Sequence, residues 1–155
     1  MSKPRRVDII ARETVFKKYI FRVEETQLRH ALFDGTMSDT ITRLSLERGD
    51  SVAALVHDRA QDHLILTEQF RYPTYGKGEG WLVELVAGIV NEGETPAHAM
   101  RRELVEEIGY AVSTLHRINT FFLSPGGSSE RIHLFYASVS SEDQVAQGGG
   151  VKYEG

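Results

Sequence analysis

The segment from Gly88 to Tyr110, GIVNEGETPAHAMRRELVEEIGY, constrains this chain more than any other. It fits Gly-x5-Glu-x7-Arg-Glu-U-x-Glu-Glu-x-Gly-U, where U is a bulky apolar residue. The fixed positions are Gly88, Glu94, Arg102, Glu103, Glu106, Glu107 and Gly109, with Leu104 as the first U. Seven matches at set spacing arise by chance with a probability on the order of 10⁻⁸ per starting position. Thr95 followed by Pro96 predicts an N-cap and a first helical position, since the proline's missing N–H costs nothing there. Gly109 suits a left-handed C-terminal cap. Between them the spacing predicts a helix of about three turns, with Ala97, Met100, Leu104 and Ile108 on its buried face.

Glu103, Glu106 and Glu107 fall at i, i+3 and i+4 and so share one flank of that helix. Three carboxylates on one stripe repel one another, and something must offset the repulsion. A hard divalent cation does so, because Mg²⁺ and Mn²⁺ take oxygen ligands and Mg²⁺ is often shared between carboxylates and substrate phosphates. Arg102, four residues before Glu106, can hold a neighbouring carboxylate in position. An isolated E-x-x-E-E would read as a solvated acidic face. Gly88, Glu94, Arg102 and Gly109 at their set distances argue for a built site instead.

Composition narrows the function classes. The 155 residues suit one compact domain, and 41% hydrophobic residues suffice for a core. A net charge of −4 and a pI near 5.9 argue against general nucleic-acid binding through a basic surface. The absence of cysteine excludes disulfides and thiolate metal sites. MSKPRRVDII is basic but lacks the continuous apolar stretch of a signal peptide. No apolar run approaches the ~20 residues of a membrane span. These features predict a cytoplasmic protein with no membrane partner.

Residues 7 to about 48 alternate as strands do: VDIIARETVF, KKYIFRVEETQL and TITRLSLERG, with a turn at Asp34–Gly35. From Ser51 the pattern becomes more apolar. SVAALVHD and DHLILTEQF flank a polar turn at Arg59–Ala60–Gln61, and WLVELVAG runs into the Gly88 segment. VSTLHRINTFFLS and RIHLFYASV predict two more strands, split by SPGGSSE. Strands, one helix and further strands give an α+β arrangement around a mixed sheet.

The Gly88–Tyr110 pattern resembles the Nudix box, the signature of metal-dependent hydrolases of nucleoside diphosphates linked to another moiety. Tyr110 stands where an aliphatic residue is more usual, and its ring still fills an apolar slot. EQFRYP, WLVELVAG and SPGGSSER, with IARET, LFDGTMS and LERG, resemble the ADP-ribose pyrophosphatase branch of that family. A sister group that hydrolyses GDP-mannose shares SPGG-x-[ST]-E and a following strand like IHLFYA. The resemblance runs from about Val7 to the last residue. It implies a Nudix fold, a mixed β-sheet sandwiched by helices, behind an N-terminal antiparallel β segment. Residues 1–50 would then serve dimerisation and substrate recognition, and 51–155 would form the catalytic part.

The resemblance also implies roles. The Ala87 carbonyl and the carboxylates of Glu103 and Glu107 would hold metal, Glu106 would ligate or bridge, and Arg102 would order this catalytic group. Glu94 would organise the loop. Arg71 would lie near the substrate phosphates or the metal-site carboxylates, or else form a surface salt bridge. Glu130 would approach substrate and metals. Gly126 and Gly127 would let a ligand come close. Tyr19 and Arg43 would hold the nucleobase or phosphates across a homodimer interface, although a tyrosine on a strand is more often core. A late loop supplies a glutamate base in this branch, and here it would be GGGVKYEG, with Glu154 as the only acid. The resemblance implies a further strand and a C-terminal helix after that loop; the sequence stops at Gly155, as either a truncated chain or a short variant would.

The implied reaction uses Mg²⁺, with Mn²⁺ as an alternative. It gives AMP and ribose 5-phosphate from ADP-ribose, or GMP and mannose 1-phosphate from GDP-mannose. A nucleotide-sugar binding module without hydrolysis, and a purely structural domain, are the contrasting classes. The intact box argues against the first, and a Mg²⁺ effect on thermal stability would exclude the second.

Overall fold

A computed structural model of the chain describes residues 5–150. By contact it divides into two compact units, Met1–Gly49 with Phe122–Glu130, and Asp50–Phe121 with Arg131–Gly155.

The first unit is an antiparallel meander of β1 (Val7–Lys18), β2 (Phe21–His30) and β3 (Ile41–Glu47). Sequence alternation suggested that the first strand ends before Lys17. Instead β1 continues to Lys18 and reverses through Tyr19–Ile20. Tyr19 takes φ 54 and is 86% exposed, so it is a turn residue and neither strand nor core. With no Asn or Gly at that reversal, the usual hairpin signal is missing. The Asp34–Gly35 turn is present: Gly35 has φ 87, and Asp34 Oδ1 accepts from the Thr36 amide at 2.9 Å. The Ser124–Glu130 loop lies along the free edge of β3, where the Leu46 amide donates to the Gly127 carbonyl and the Ser129 amide to the Leu46 carbonyl. Val7, Ile10, Val15, Phe16 and Ile20 leave much apolar surface open on this unit.

In the second unit β4 (Ser51–Asp58) is the central strand. It pairs in parallel with β10 (Arg131–Val139) and antiparallel with β5 (His63–Ile65) and β8 (Val86–Ile89). The strand β9 (His116–Phe122) flanks β10. A separate ribbon joins β6 (Thr67–Phe70) to β7 (Trp81–Glu84). DHLILTEQF and WLVELVAG, each expected as one strand, break at Leu66 and Leu85, and the halves enter different sheets. A short helix α1 (Tyr72–Tyr75) was not foreseen, although Pro73 near its start favours one. VSTLHRINTFFLS contributes only His116–Phe122 as strand.

The long helix α2 (Pro96–Ile108) covers the sheet. Met100 and Leu104 are fully buried with Val52, Ala54, Val56, Val86, Ala137 and Val139, which forms the core. The buried stripe of α2 is Ala99, Met100, Glu103 and Leu104, whereas Ala97 is only partly buried. The helix turns its Glu103 edge onto the sheet, which shifts the stripe from the expected Ala97 toward Ala99. No helix among the described residues is long and apolar enough to cross a membrane.

Candidate functional site

The site is built on α2 and the strand before it. Thr95 caps the helix, accepting from the His98 amide at 3.3 Å, and Gly109 ends it at φ 79. The Tyr110 amide returns to the Leu104 carbonyl, as a left-handed glycine cap requires. Beyond the cap, the amides of Gly149 and Gly150 donate to the Glu107 and Glu106 carbonyls at 2.8 and 3.0 Å. The glycine-rich segment expected to carry the late-loop base therefore begins docked on the C-terminal end of α2. Glu154 lies outside the described residues.

Arg102 is the hub. Its Nη1 donates to Glu103 Oε1 at 2.7 Å and to Glu106 Oε2 at 3.1 Å. Its Nε and Nη2 take the two oxygens of Glu94 at 3.2 and 3.1 Å, and Nη2 also reaches the Ile89 carbonyl. Glu94 Oε2 accepts from the Asn91 amide as well, closing the loop before the helix. The bonds to Glu94, then those to Glu103 and Glu106, raise the Arg102 pKa further, so the guanidinium stays charged at every accessible pH. The Arg102 bonds hold the Glu94 carboxyl below its ordinary value.

Glu103 is in a different environment. It is 9% exposed, and burial pushes its pKa up. The charges of Glu107 and Glu106 push the same way, while Arg102 opposes them. Gly88, opposite Val52 in the β4–β8 register, makes room for this carboxylate: a Cβ there would overlap Glu103 Oε1, Cδ and Cγ. Glu107 Oε1 accepts from Gln69 Nε2 at 2.7 Å, and the Ala87 amide approaches Glu107 Oε2 at 3.4 Å. Gln69 did not emerge from the sequence. Its only signal is position, in the EQFR segment two residues before Arg71.

The donor set fits a hard divalent cation. Its atoms are carboxylate oxygens, Glu103 is buried with a mutual repulsion that a cation relieves, and Gly88 forms the cradle. Among the described residues no three acidic or histidine side chains are gathered around one point. Arg102 draws Glu103 and Glu106 to itself, and Gln69 holds Glu107.

Arg71 Nε pairs with Glu84 Oε2 at 2.7 Å, both partly exposed, so here the arginine forms a salt bridge across the β6–β7 ribbon. The remaining candidates belong to the first unit. Arg43 on β3 lines a cavity of about 560 Å³ with the loop residues Pro125 to Ser129. A Cβ at Gly126 or Gly127 would meet open space. Glu130 is 5% exposed, with Arg48 Nη1 3.4 Å away, so it is not a solvated turn residue.

The NUDIX domain family matches residues 47–152, which include Gly88, the Arg102 cluster, Gln69, Glu107 and Glu130. The chain belongs to the Nudix family. It is 39% identical over 136 residues to an ADP-ribose pyrophosphatase of Escherichia coli (strain K12), covering 87% of this chain and 65% of that protein. An ADP-ribose pyrophosphatase of Haemophilus influenzae is 37% identical over 139 residues, with 87% and 64% covered. A GDP-mannose pyrophosphatase of Pectobacterium atrosepticum is 40% identical over 110 residues, with 70% and 56% covered. This Nudix chain thus spans less than two thirds of the length of these relatives. The Nudix fold itself recurs in a crystal structure of an ADP compounds hydrolase, at TM-score 0.69 and 23% identity over 97% of this chain and 75% of that one.

Proposed function

We propose that this chain hydrolyses the diphosphate bond of a nucleoside diphosphate sugar, ADP-ribose first among them, giving AMP and ribose 5-phosphate. One observation carries the proposal. Arg102 on α2 gathers the carboxylates of Glu94, Glu103 and Glu106, and the Glu103 carboxyl is buried above Gly88. The mutual repulsion of Glu103, Glu106 and Glu107 is one that a bound cation would offset. The names of the Escherichia coli and Haemophilus influenzae relatives support ADP-ribose.

In this proposal Glu103, Glu106, Glu107 and the Ala87 carbonyl hold Mg²⁺, with Mn²⁺ as an alternative. The metal supplies charge neutralisation of the diphosphate and acidification of bound water. The chain's own part is positioning. Gly88 gives the Glu103 carboxylate its place, Arg102 fixes Glu103 and Glu106, and Gln69 fixes Glu107. Glu154 is the proposed base that takes the proton of the attacking water. Arg71 and Glu130, with Tyr19, Arg43, Gly126 and Gly127, are proposed to bind substrate. The open apolar surface of Val7, Ile10, Phe16 and Ile20 supports a homodimer through the N-terminal strands. The proposed compartment is the cytoplasm.

GDP-mannose is the second substrate reading, favoured by the 40% identical Pectobacterium relative. A hydrolysis panel of ADP-ribose, GDP-mannose, UDP-glucose and a nucleoside triphosphate with Mg²⁺ separates the two. AMP from ADP-ribose supports the first reading and GMP from GDP-mannose the second. Turnover of the triphosphate alone would contradict both.

A further inference from the structure

The cavity between β3 and the Ser124–Glu130 loop has a feature that none of the roles above uses. Both its walls belong to one unit and meet at a single carboxylate. Glu47, the last residue of β3, accepts from Ser45 Oγ at 2.6 Å through Oε1 and from Ser129 Oγ through Oε2. Ser45 lines the cavity from the strand and Ser129 lines it from the loop. Arg43, Ser45 and Glu47 alternate along β3, so they share one face.

An ionised carboxylate only accepts hydrogen bonds, and a serine hydroxyl has one proton. With both protons committed to Glu47, each hydroxyl offers the cavity only lone pairs. Burial works to raise the Glu47 pKa, but the two serine bonds and the charges of Arg22 and Arg12 outweigh it. The carboxylate is therefore ionised at neutral pH, and the polarity of both hydroxyls is set. The cavity then presents two acceptors from Ser45 and Ser129, and the Arg43 guanidinium as a cationic donor. Its volume of about 560 Å³ lies within the range of small-molecule sites, roughly 300–1,000 Å³. A sugar phosphate has the matching chemistry, with hydroxyl donors for the serines and an anion for the arginine.

We propose that Glu47 sets the hydrogen-bond polarity of this cavity, so that Ser45 and Ser129 select the hydroxyl-bearing sugar end of the ligand. The assignment rests on the nucleoside diphosphate sugar reading above. Glu47 acts through the serines and is a positioning residue.

Calorimetric titration of the whole chain with ADP-ribose and with ADP, in Mg²⁺-free buffer, tests it. The wild type is expected to bind ADP-ribose at least ~10-fold more tightly than ADP, the scale of one or two well-made hydrogen bonds. Glu47→Gln can still bond both serines, but its amide nitrogen must donate to one of them, which turns that hydroxyl's proton toward the cavity. A purely structural staple predicts no change in that variant. The proposal predicts that the preference for ADP-ribose falls below about threefold, and that KM rises ~10-fold while kcat changes far less. Ser45→Ala leaves the Ser129–Glu47 bond in place and is expected to lose the preference too, so the test stands even if Glu47→Gln fails to fold. Equal wild-type affinity for the two ligands would overturn the assignment, as would an undiminished preference in Ser45→Ala. A Glu47-dependent preference without any hydrolysis would support the assignment and contradict only the hydrolase reading.

Discussion

The carboxylate of Glu103 occupies the space that a side chain on Gly88 would fill. The first glycine of the motif and its first helix glutamate are thus one packing unit, fifteen residues apart in the chain. Gly88→Ala therefore has to displace a buried carboxylate that Arg102 holds at 2.7 Å. The expected cost is about 1–3 kcal/mol, the usual scale of overpacking. We expect a loss of activity out of proportion to it, at least ~10-fold in kcat/KM, because the displaced group is a proposed metal ligand. Urea denaturation and steady-state kinetics on the same preparation check both. Unchanged kinetics would show that Glu103 can move without consequence.

Arg102→Ala leaves Glu94, Glu103 and Glu106 without their common cation. The expected destabilisation is roughly 1–3 kcal/mol, in the range for losing charge-assisted bonds at a site part-exposed to water. Arg102→Lys restores one point charge but cannot span Glu94 and the helix carboxylates together, so it should recover only part of the loss. Equal stability of the lysine variant and the wild type would mean that charge alone matters at this position.

A metal site predicts that Mg²⁺ stabilises the folded chain. At tenfold over Kd the gain is about 1.4 kcal/mol, rising with the logarithm of concentration. Thermal denaturation across a Mg²⁺ series measures it. Glu103→Gln should flatten the response, whereas a flat response in the wild type would leave the acidic stripe as a solvated face.

Stability at low pH should depend on Asp50, which begins the central strand region. Arg131 donates to its carboxylate at 2.5 Å and through a backbone bond, and His133 adds a contact at 3.5 Å. The side-chain bond from Arg131 does most to lower the Asp50 pKa, and burial opposes it. A lowered folded pKa means that the contribution is fully present above the unfolded value of 3.8, and is lost as pH falls through the lower folded one. Asp50→Asn should thus melt lower than the wild type at pH 7, with the difference vanishing in strong acid. A constant gap between pH 7 and pH 2 would contradict the linkage.

What could be read ahead of the structure follows from how local each signal is. The ends of α2 were legible because Thr95, Pro96 and Gly109 act on their own backbone. RIHLFYASV was legible because a run of apolar and β-branched residues has no competing pattern. The Tyr19 reversal was not, since nothing in the residue type announces a positive φ there. Nor were the breaks at Leu66 and Leu85, where tertiary pairing, and no turn residue, divides an apolar run. At the site, the carboxylate spacing pointed to Glu103, Glu106 and Glu107 together. The burial of Glu103 over Gly88 and the Gln69–Glu107 bond depend on strands brought in from elsewhere, and spacing along one helix does not encode them.

The most direct test of the central claim compares AMP release from ADP-ribose with and without Mg²⁺, in the wild type and in Glu107→Gln. The account predicts Mg²⁺-dependent AMP and ribose 5-phosphate from the wild type. It predicts a rate at least ~100-fold lower in a variant that keeps its circular dichroism spectrum, since the neutral amide retains the shape of Glu107 but loses its charge. A near-wild-type rate in Glu107→Gln, or turnover indifferent to chelation of the metal, would contradict it.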